Sequence, residues 1–305
     1  MEHEFNCISD TTVSVIQLTP ETLPALYRSA DRLSAESQNT YFRLIFLEYS
    51  LLIVCALMSM KPVEEGWYFT LYTVLFVLAL SSFIYRYVNK PEQVWYQARA
   101  LAESIKTLAW KFSMRAAPFD EGSVAKAHSE FAERIQKVLS ANTFAGSKLP
   151  AEWGDKPQVT PQMLSLREKK LTERREIYAE QRIQNQRSWY AKKSGFNKRC
   201  ANYWSAACIC TYLLAVISSM IRIDNPTWSF LPTEPLIVVA AAFLGWIQIK
   251  KFNELASSYI LTAHEIGLLH QKINSSSEEA FSRFVNDSEQ AFSREHTQWV
   301  ARFNA

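Results

Sequence analysis

Five residues of this chain share one helical face and one chemistry. Arg167, Lys170, Arg174, Tyr178 and Arg182 are spaced 3, 4, 4 and 4, so a continuous helix would carry them as a basic stripe with one aromatic ring. Such a stripe suits a phosphate backbone with a base stacked on the tyrosine, and these five are the candidate nucleotide-binding residues. The alternative is a solvated helix, its charges balanced at i, i+4 by Glu168, Glu173, Glu176 and Glu180. Glu48 has a different interest. It lies about one turn inside an apolar run, where a charge costs about 2.5–3.5 kcal/mol on insertion scales, so it must face protein or water. Either it lines a pore and attracts cations, or it bonds a neighbouring helix or reaches back to the interface.

No catalytic constellation is visible. His3, His128, His264, His270 and His296 are scattered, and the last close pair is six apart, which does not share a helical face well. There is no GxSxG, Walker A or GxGxxG, and seven glycines leave little for a phosphate cradle. An enzyme, a cofactor and a metal site are therefore not expected. Five cysteines, Cys7, Cys55, Cys200, Cys208 and Cys210, are an odd number, and four fall inside or beside apolar segments. That usage fits a reduced compartment better than a disulfide framework. The acidic start MEHEFNCISD has no basic region ahead of an apolar one, so no cleaved signal is expected.

The elements that must position these residues are membrane helices. Trp67–Tyr85 runs 19 residues without a charge. As a helix it covers about 28 Å, close to the ~30 Å hydrocarbon thickness of a bilayer. Trp67, Tyr68, Tyr85 and Tyr87 mark its ends at headgroup depth. An earlier span, 44–60, joins it through the short turn at 61–66 to form a hairpin. A second pair follows at 201–221 and 235–249. The chain is 48% hydrophobic, yet its mean hydropathy is only −0.12, so about half the mass belongs outside the membrane.

That outside part reads as helices. Residues 1–23 read as a poorly ordered or loosely docked tail, and Pro24 opens a lead-in to the first span. Pro91 starts a helix carrying Trp95, Ala98, Ala102, Ile105 and Ala109 on one stripe. Val124, Ala127, Phe131, Ile135 and Val138 define a short amphipathic helix, and 146–161 is a linker. Thr160 and Pro161 cap the long charged helix that bears the basic stripe. After the second hairpin come a helix over 255–273 and an amphipathic one from Glu278, with Phe281, Phe284, Val285, Phe292, Trp299 and Phe303 on its apolar face.

Each half thus has a lead-in helix, a hairpin and a trailing helix. A shift of 163 positions carries Tyr27, Asn39, Tyr49, Leu51 and Tyr96 onto Tyr190, Asn202, Tyr212, Leu214 and Tyr259. Lys61 and Arg222 are the only basic residues at the hairpin tips, whereas Arg43, Arg86, Lys90, Lys192, Lys193, Lys198, Arg199, Lys250 and Lys251 lie at the opposite side. Positive charge is retained in the cytosol, so both termini and the middle of the chain are expected there.

Three stretches resemble the SLATT family, bacterial two-span effector domains that accompany nucleotidyltransferases in conflict systems. They are WYQARALAESIKTLAWKF, the second hairpin with its trailing helix, and SSSEEAFSRFVNDSEQAFSREHTQWVARF. The resemblance covers roughly 25–115 and 188–303. It divides the chain into a tail at 1–24, a first two-span unit at 25–115, a helical insertion at 116–187 and a second unit at 188–305. It implies an all-α membrane protein of four spans, assembled as a homo-oligomer, a tetramer, in the bacterial inner membrane. It also implies a pore that depolarises an infected cell in anti-phage defence by abortive infection. The controlling partner would be a nucleotidyltransferase product, a cyclic nucleotide or short oligonucleotide. The tandem arrangement is similar to that of an effector whose oligonucleotide holds the channel closed. A membrane-anchored helical scaffold, or a constitutive channel without nucleotide input, would share the same spans.

Overall fold

The computed structural model describes residues 17–60, 65–228, 230–271, 273 and 277–303, with side chains of the last helix described to residue 292. Its helices are α1 (Ala25–Met58), α2 (Gly66–Asn89), α3 (Pro91–Ser113), α4 (Val124–Ala141), α5 (Thr143–Gly146), α6 (Pro161–Glu168), α7 (Leu171–Tyr178), α8 (Asn185–Asp224), α9 (Thr233–Lys250), α10 (Phe252–Gln271) and α11 (Glu278–Phe303). The described residues form no strand, and the protein is all-α.

Four stretches are long and apolar enough to cross a membrane, one each through α1, α2, α8 and α9. Their large side chains stand outward: Phe76, Leu80, Ile209, Leu213 and Ile217 are all more than 40% exposed, as lipid-facing residues must be. Within the layer, α1 packs on α2 and on α9, and α9 packs on α8; among the described residues no other pair of spans shares more than a glancing contact. The spans therefore form a row in the order α2, α1, α9, α8.

Both hairpins leave the membrane the same way. Lys90, between α2 and α3, has φ 47°, and Lys251, between α9 and α10, has φ 49°. A single left-handed residue ends one helix by returning its N–H to the preceding turn (Lys90 to the Arg86 carbonyl, Lys251 to that of Ile247). The next helix starts at once, with Pro91 in its first turn where a missing N–H costs nothing. The trailing helices then fold back, α3 along α1 and α10 along α8. This is the repeated unit that the hydropathy blocks suggest.

The rest is one helical body around α3. Leu101, Ile105 and Phe112 of α3 pack with Phe131 and Ile135 of α4, Met163 of α6, and Leu23 and Tyr27. Farther along, Trp110 and Met114 join Leu166, Tyr178, Ile183, Tyr190, Ile266, Phe281 and Phe292. Residues 17–23 of the expected loose tail are docked here, Leu23 being 1% exposed. Residues 1–16 lie outside the described residues.

The long charged helix is shorter than its sequence pattern. Thr160 caps α6 through the Met163 N–H, with Pro161 at the first position as expected. But Lys169 and Lys170 are extended, α7 ends at Tyr178, and a π-helical turn over Ala179–Gln184 leads into α8. Arginines hold the break: Arg115 donates to the Arg167 carbonyl at 2.8 Å, and Arg174 to that of Lys169 at 3.0 Å. These charge-assisted bonds satisfy carbonyls that the interrupted helix leaves open.

Candidate functional site

The basic stripe does not form a surface. Arg167, Arg174, Tyr178 and Arg182 are each 2% exposed or less, and only Lys170 faces solvent. The break and the π-helical turn carry the face inward, where each guanidinium meets protein oxygens. Arg167 donates to the carbonyls of Phe112 at 2.7 Å and Glu121 at 2.9 Å. Burial, with Arg115 and Arg174 close by, holds its pKa below the usual guanidinium range. Arg174 donates to the Met114 carbonyl at 2.6 Å and pairs with Glu278.

Arg182 and Glu289 are a fully enclosed ion pair. The carboxylate accepts Nε at 2.8 Å and Nη2 at 2.7 Å, and also the Tyr178 hydroxyl at 3.1 Å and the Thr107 hydroxyl at 3.0 Å. Burial alone would lower the Arg182 pKa, and Glu289 more than reverses this. Burial and the same carboxylate raise the Tyr178 pKa, so the phenol stays a donor. These residues brace α11 and α3 against the end of α7 and the π-helical turn. A phosphate reaching them would first have to displace Glu278 or Glu289.

Glu48 is likewise engaged. It accepts Arg86 Nε at 3.1 Å and Nη2 at 2.9 Å, which ties α1 to α2 near the end of the first hairpin. Its counterpart in the second hairpin, 163 positions on, is Thr211, which bonds its own helix at the Ala207 carbonyl. The bidentate bond is the helix–helix alternative among the two expected for Glu48.

A different place gathers rings and cations. A cleft of about 420 Å³ opens between the repeats where the spans meet the helical body, lined by α1, α3, α8, α10 and the end of α9. Trp95 and Tyr96 of α3 stack at 4.3 Å between ring centroids, and Phe42 of α1 meets Trp95 edge-on at 5.4 Å. From the second repeat come Trp189 and Tyr259, 5.7 Å apart. Lys193 is exposed and lies within 6 Å of both the Trp189 and Phe196 rings. Lys250 sits 3.2 Å from the Phe42 centroid. Lys251 also lines the cleft, as does Arg99, whose charge is shared with Asp31 and Glu103. Cations outnumber carboxylates on this wall, and exposed rings flank them. That combination takes a flat, anionic ligand by stacking and charge.

The cleft was hidden in the sequence because its residues come from five separate stretches. Only the αL turn at Lys251 and the back-folding of α3 and α10 bring them together. Two local signals were present: the aromatic doublets Trp95-Tyr96, in the trailing helix of the first repeat, and Trp189-Tyr190, in the lead-in helix of the second.

Comparison with known proteins divides the chain as its geometry does. Residues 24–175 match the model of SMODS and SLOG-associating 2TM effector domain 3 (SLATT_3), and residues 178–299 match that of SMODS and SLOG-associating 2TM effector domain 1 (SLATT_1). The first match runs through most of the segment expected to be an insertion. Neither a curated protein nor a solved structure gives a match. The two matches meet between Arg175 and Tyr178, just before the π-helical turn, and together they span nearly the whole chain: it belongs to the SLATT family of two-transmembrane effector domains, with two such domains in tandem.

Proposed function

We propose that this protein is a pore-forming effector of the bacterial inner membrane, depolarising the cell when released, and controlled by a nucleotide or short oligonucleotide bound in the cleft between its repeats. One observation carries the proposal: rings and cations of both repeats face one cleft, and two of the helices lining it, α1 and α8, run on without interruption into the membrane. A ligand shifts a closed–open equilibrium only if it binds the two states differently. A ligand gripped by both repeats does so, because any change in the angle between α1 and α8 alters the cleft and the spans together. The ligand comes from a partner nucleotidyltransferase, and several copies of the chain form the path.

The test uses the whole protein in liposomes. Binding of fluorescent short oligonucleotides and cyclic dinucleotides is read by anisotropy, and ion flux by collapse of a potassium diffusion potential. The variant Lys193→Glu with Trp189→Ala should lose a stacked ring, about 1–3 kcal/mol of binding, and one phosphate contact. For a single strand that contact is about 0.7 in the log–log salt slope. If the variant binds both probes as the wild type does, the cleft is not the site. If wild-type protein passes no ions under any probe, the pore proposal fails.

A further inference from the structure

The four spans stand in a row whose order is second-first-second-first when each is named by its place in its own hairpin. α2 and α9 are second spans, α1 and α8 first spans, and the row runs α2, α1, α9, α8. The contact joining the repeats is therefore one-way: the first span of one repeat packs on the second span of the other. Repeats related by a two-fold axis would instead contribute like faces to their contact. Here the row ends on two unlike faces, a second span at one end and a first span at the other. These are the two kinds of face that meet in its middle.

We infer that copies of this chain join head to tail, α8 of one copy packing on α2 of the next as α1 packs on α9 within the chain. The occupant of both end faces is thus a second copy of the same chain. A heterologous contact of this kind closes into a ring when its rotation allows, and every first span in it then packs on a second span. The inference rests on the proposal that several copies line a path, since a single row of helices encloses none.

The repeat also names the residues that meet. Within the chain, the Tyr49 ring lies directly against the backbone of Gly245, which a Cβ there would block, and Trp246 meets Phe42 edge-on at 5.8 Å. The shift of 163 positions carries Tyr49 to Tyr212. The left-handed lysines, Lys90 and Lys251, are 161 apart and carry Gly245 and Trp246 back to Ile84 and Tyr85. Tyr212 is 47% exposed, Ile84 50% and Tyr85 52%, so all three stand open at the ends of the row. Ile84 has a side chain where Gly245 has none, so the step between copies is wider than the step within one.

The test is cross-linking of the full chain in native membranes with a short bis-maleimide, its five native cysteines replaced by alanine or serine. A Tyr49→Cys, Gly245→Cys chain in this background should cross-link within itself, which establishes that the background is folded. A chain with Ile84→Cys and Tyr212→Cys should run as a ladder of multimers. Two co-expressed chains carrying one substitution each should stop at dimers, and neither alone should give a product. Cross-linking of Tyr212→Cys chains with one another would show like faces meeting and overturn the inference. No product from the doubly substituted chain, with the internal control positive, would leave these faces to lipid and overturn it too. Potassium flux through the same membranes separates the two proposals. Flux without cross-linking removes this interface and keeps the pore, whereas a ladder without flux removes the pore and keeps the interface.

Discussion

Glu289 holds four bonds from three parts of the chain. Its removal leaves the Arg182 guanidinium buried without a counter-charge. Breaking one side of such a pair costs about 3–5 kcal/mol. Glu289→Ala should therefore lower the unfolding midpoint of the solubilised protein strongly. Glu289→Gln, which keeps an acceptor for Tyr178 or Thr107, should be milder in the same thermal scan. Equal midpoints for wild type and Glu289→Ala would mean the pair contributes no net stability. The arginine stripe shows what a periodic pattern can and cannot say. Spacing placed Arg167, Arg174, Tyr178 and Arg182 on one face, but it does not tell whether that face looks out or in. The carboxylates that answer Arg174 and Arg182, Glu278 and Glu289, lie more than 100 residues away. With Glu168, Glu173, Glu176 and Glu180 close at hand, local charge balance pointed to solvent. For Glu48, the cost of a lone charge in lipid asks for protein or water beside it, and Arg86 of the same hairpin is one such partner.

At the scale of elements, the strongest local signals were the ones the fold follows. Pro91 and the pair Thr160-Pro161 start α3 and α6, and each apolar run became a span. The break at Lys169–Lys170 and the π-helical turn had no such mark; at the break, Arg115 from more than 50 residues away and Arg174 bond the carbonyls left open. Nor did the two αL lysines look special. A non-glycine residue in the left-handed region costs about 1–2 kcal/mol, more for a β-branched one whose Cβ crowds the carbonyl. Lys251→Gly should accordingly be neutral or slightly stabilising, whereas Lys251→Val should destabilise by about 1 kcal/mol or more. The same ordering should hold at Lys90. Denaturation of the four variants checks this, and a Val variant as stable as its Gly partner would argue that these exits are not left-handed in the membrane.

For the whole molecule, the unequal distribution of charge supports the orientation proposed. Among the described residues the second hairpin tip carries one basic side chain, Arg222, already paired with Glu234 at 2.6 Å. The opposite side carries Lys90, Lys192, Lys193, Lys198, Arg199, Lys250 and Lys251, together with the entire helical body. Moving that body across the bilayer would mean translocating these cations and two buried cores, while keeping it where it is made requires only that two short tips cross. The proposed orientation therefore has both termini and the cleft in the cytosol, which is where a nucleotide made by a cytosolic enzyme would meet it. Thr227 sits in the tip between α8 and α9, and Ser147 follows α5 in the helical body. In a background without native cysteines, Thr227→Cys should react with a membrane-impermeant maleimide added to intact cells whose outer membrane has been made permeable. Ser147→Cys should react only after the inner membrane is opened. Ser147→Cys is exposed on the folded surface, so burial would not explain a failure to label. The reverse result would place the cleft outside, beyond reach of any nucleotide in the cell, and would end the proposal for its control while leaving the four-span fold untouched.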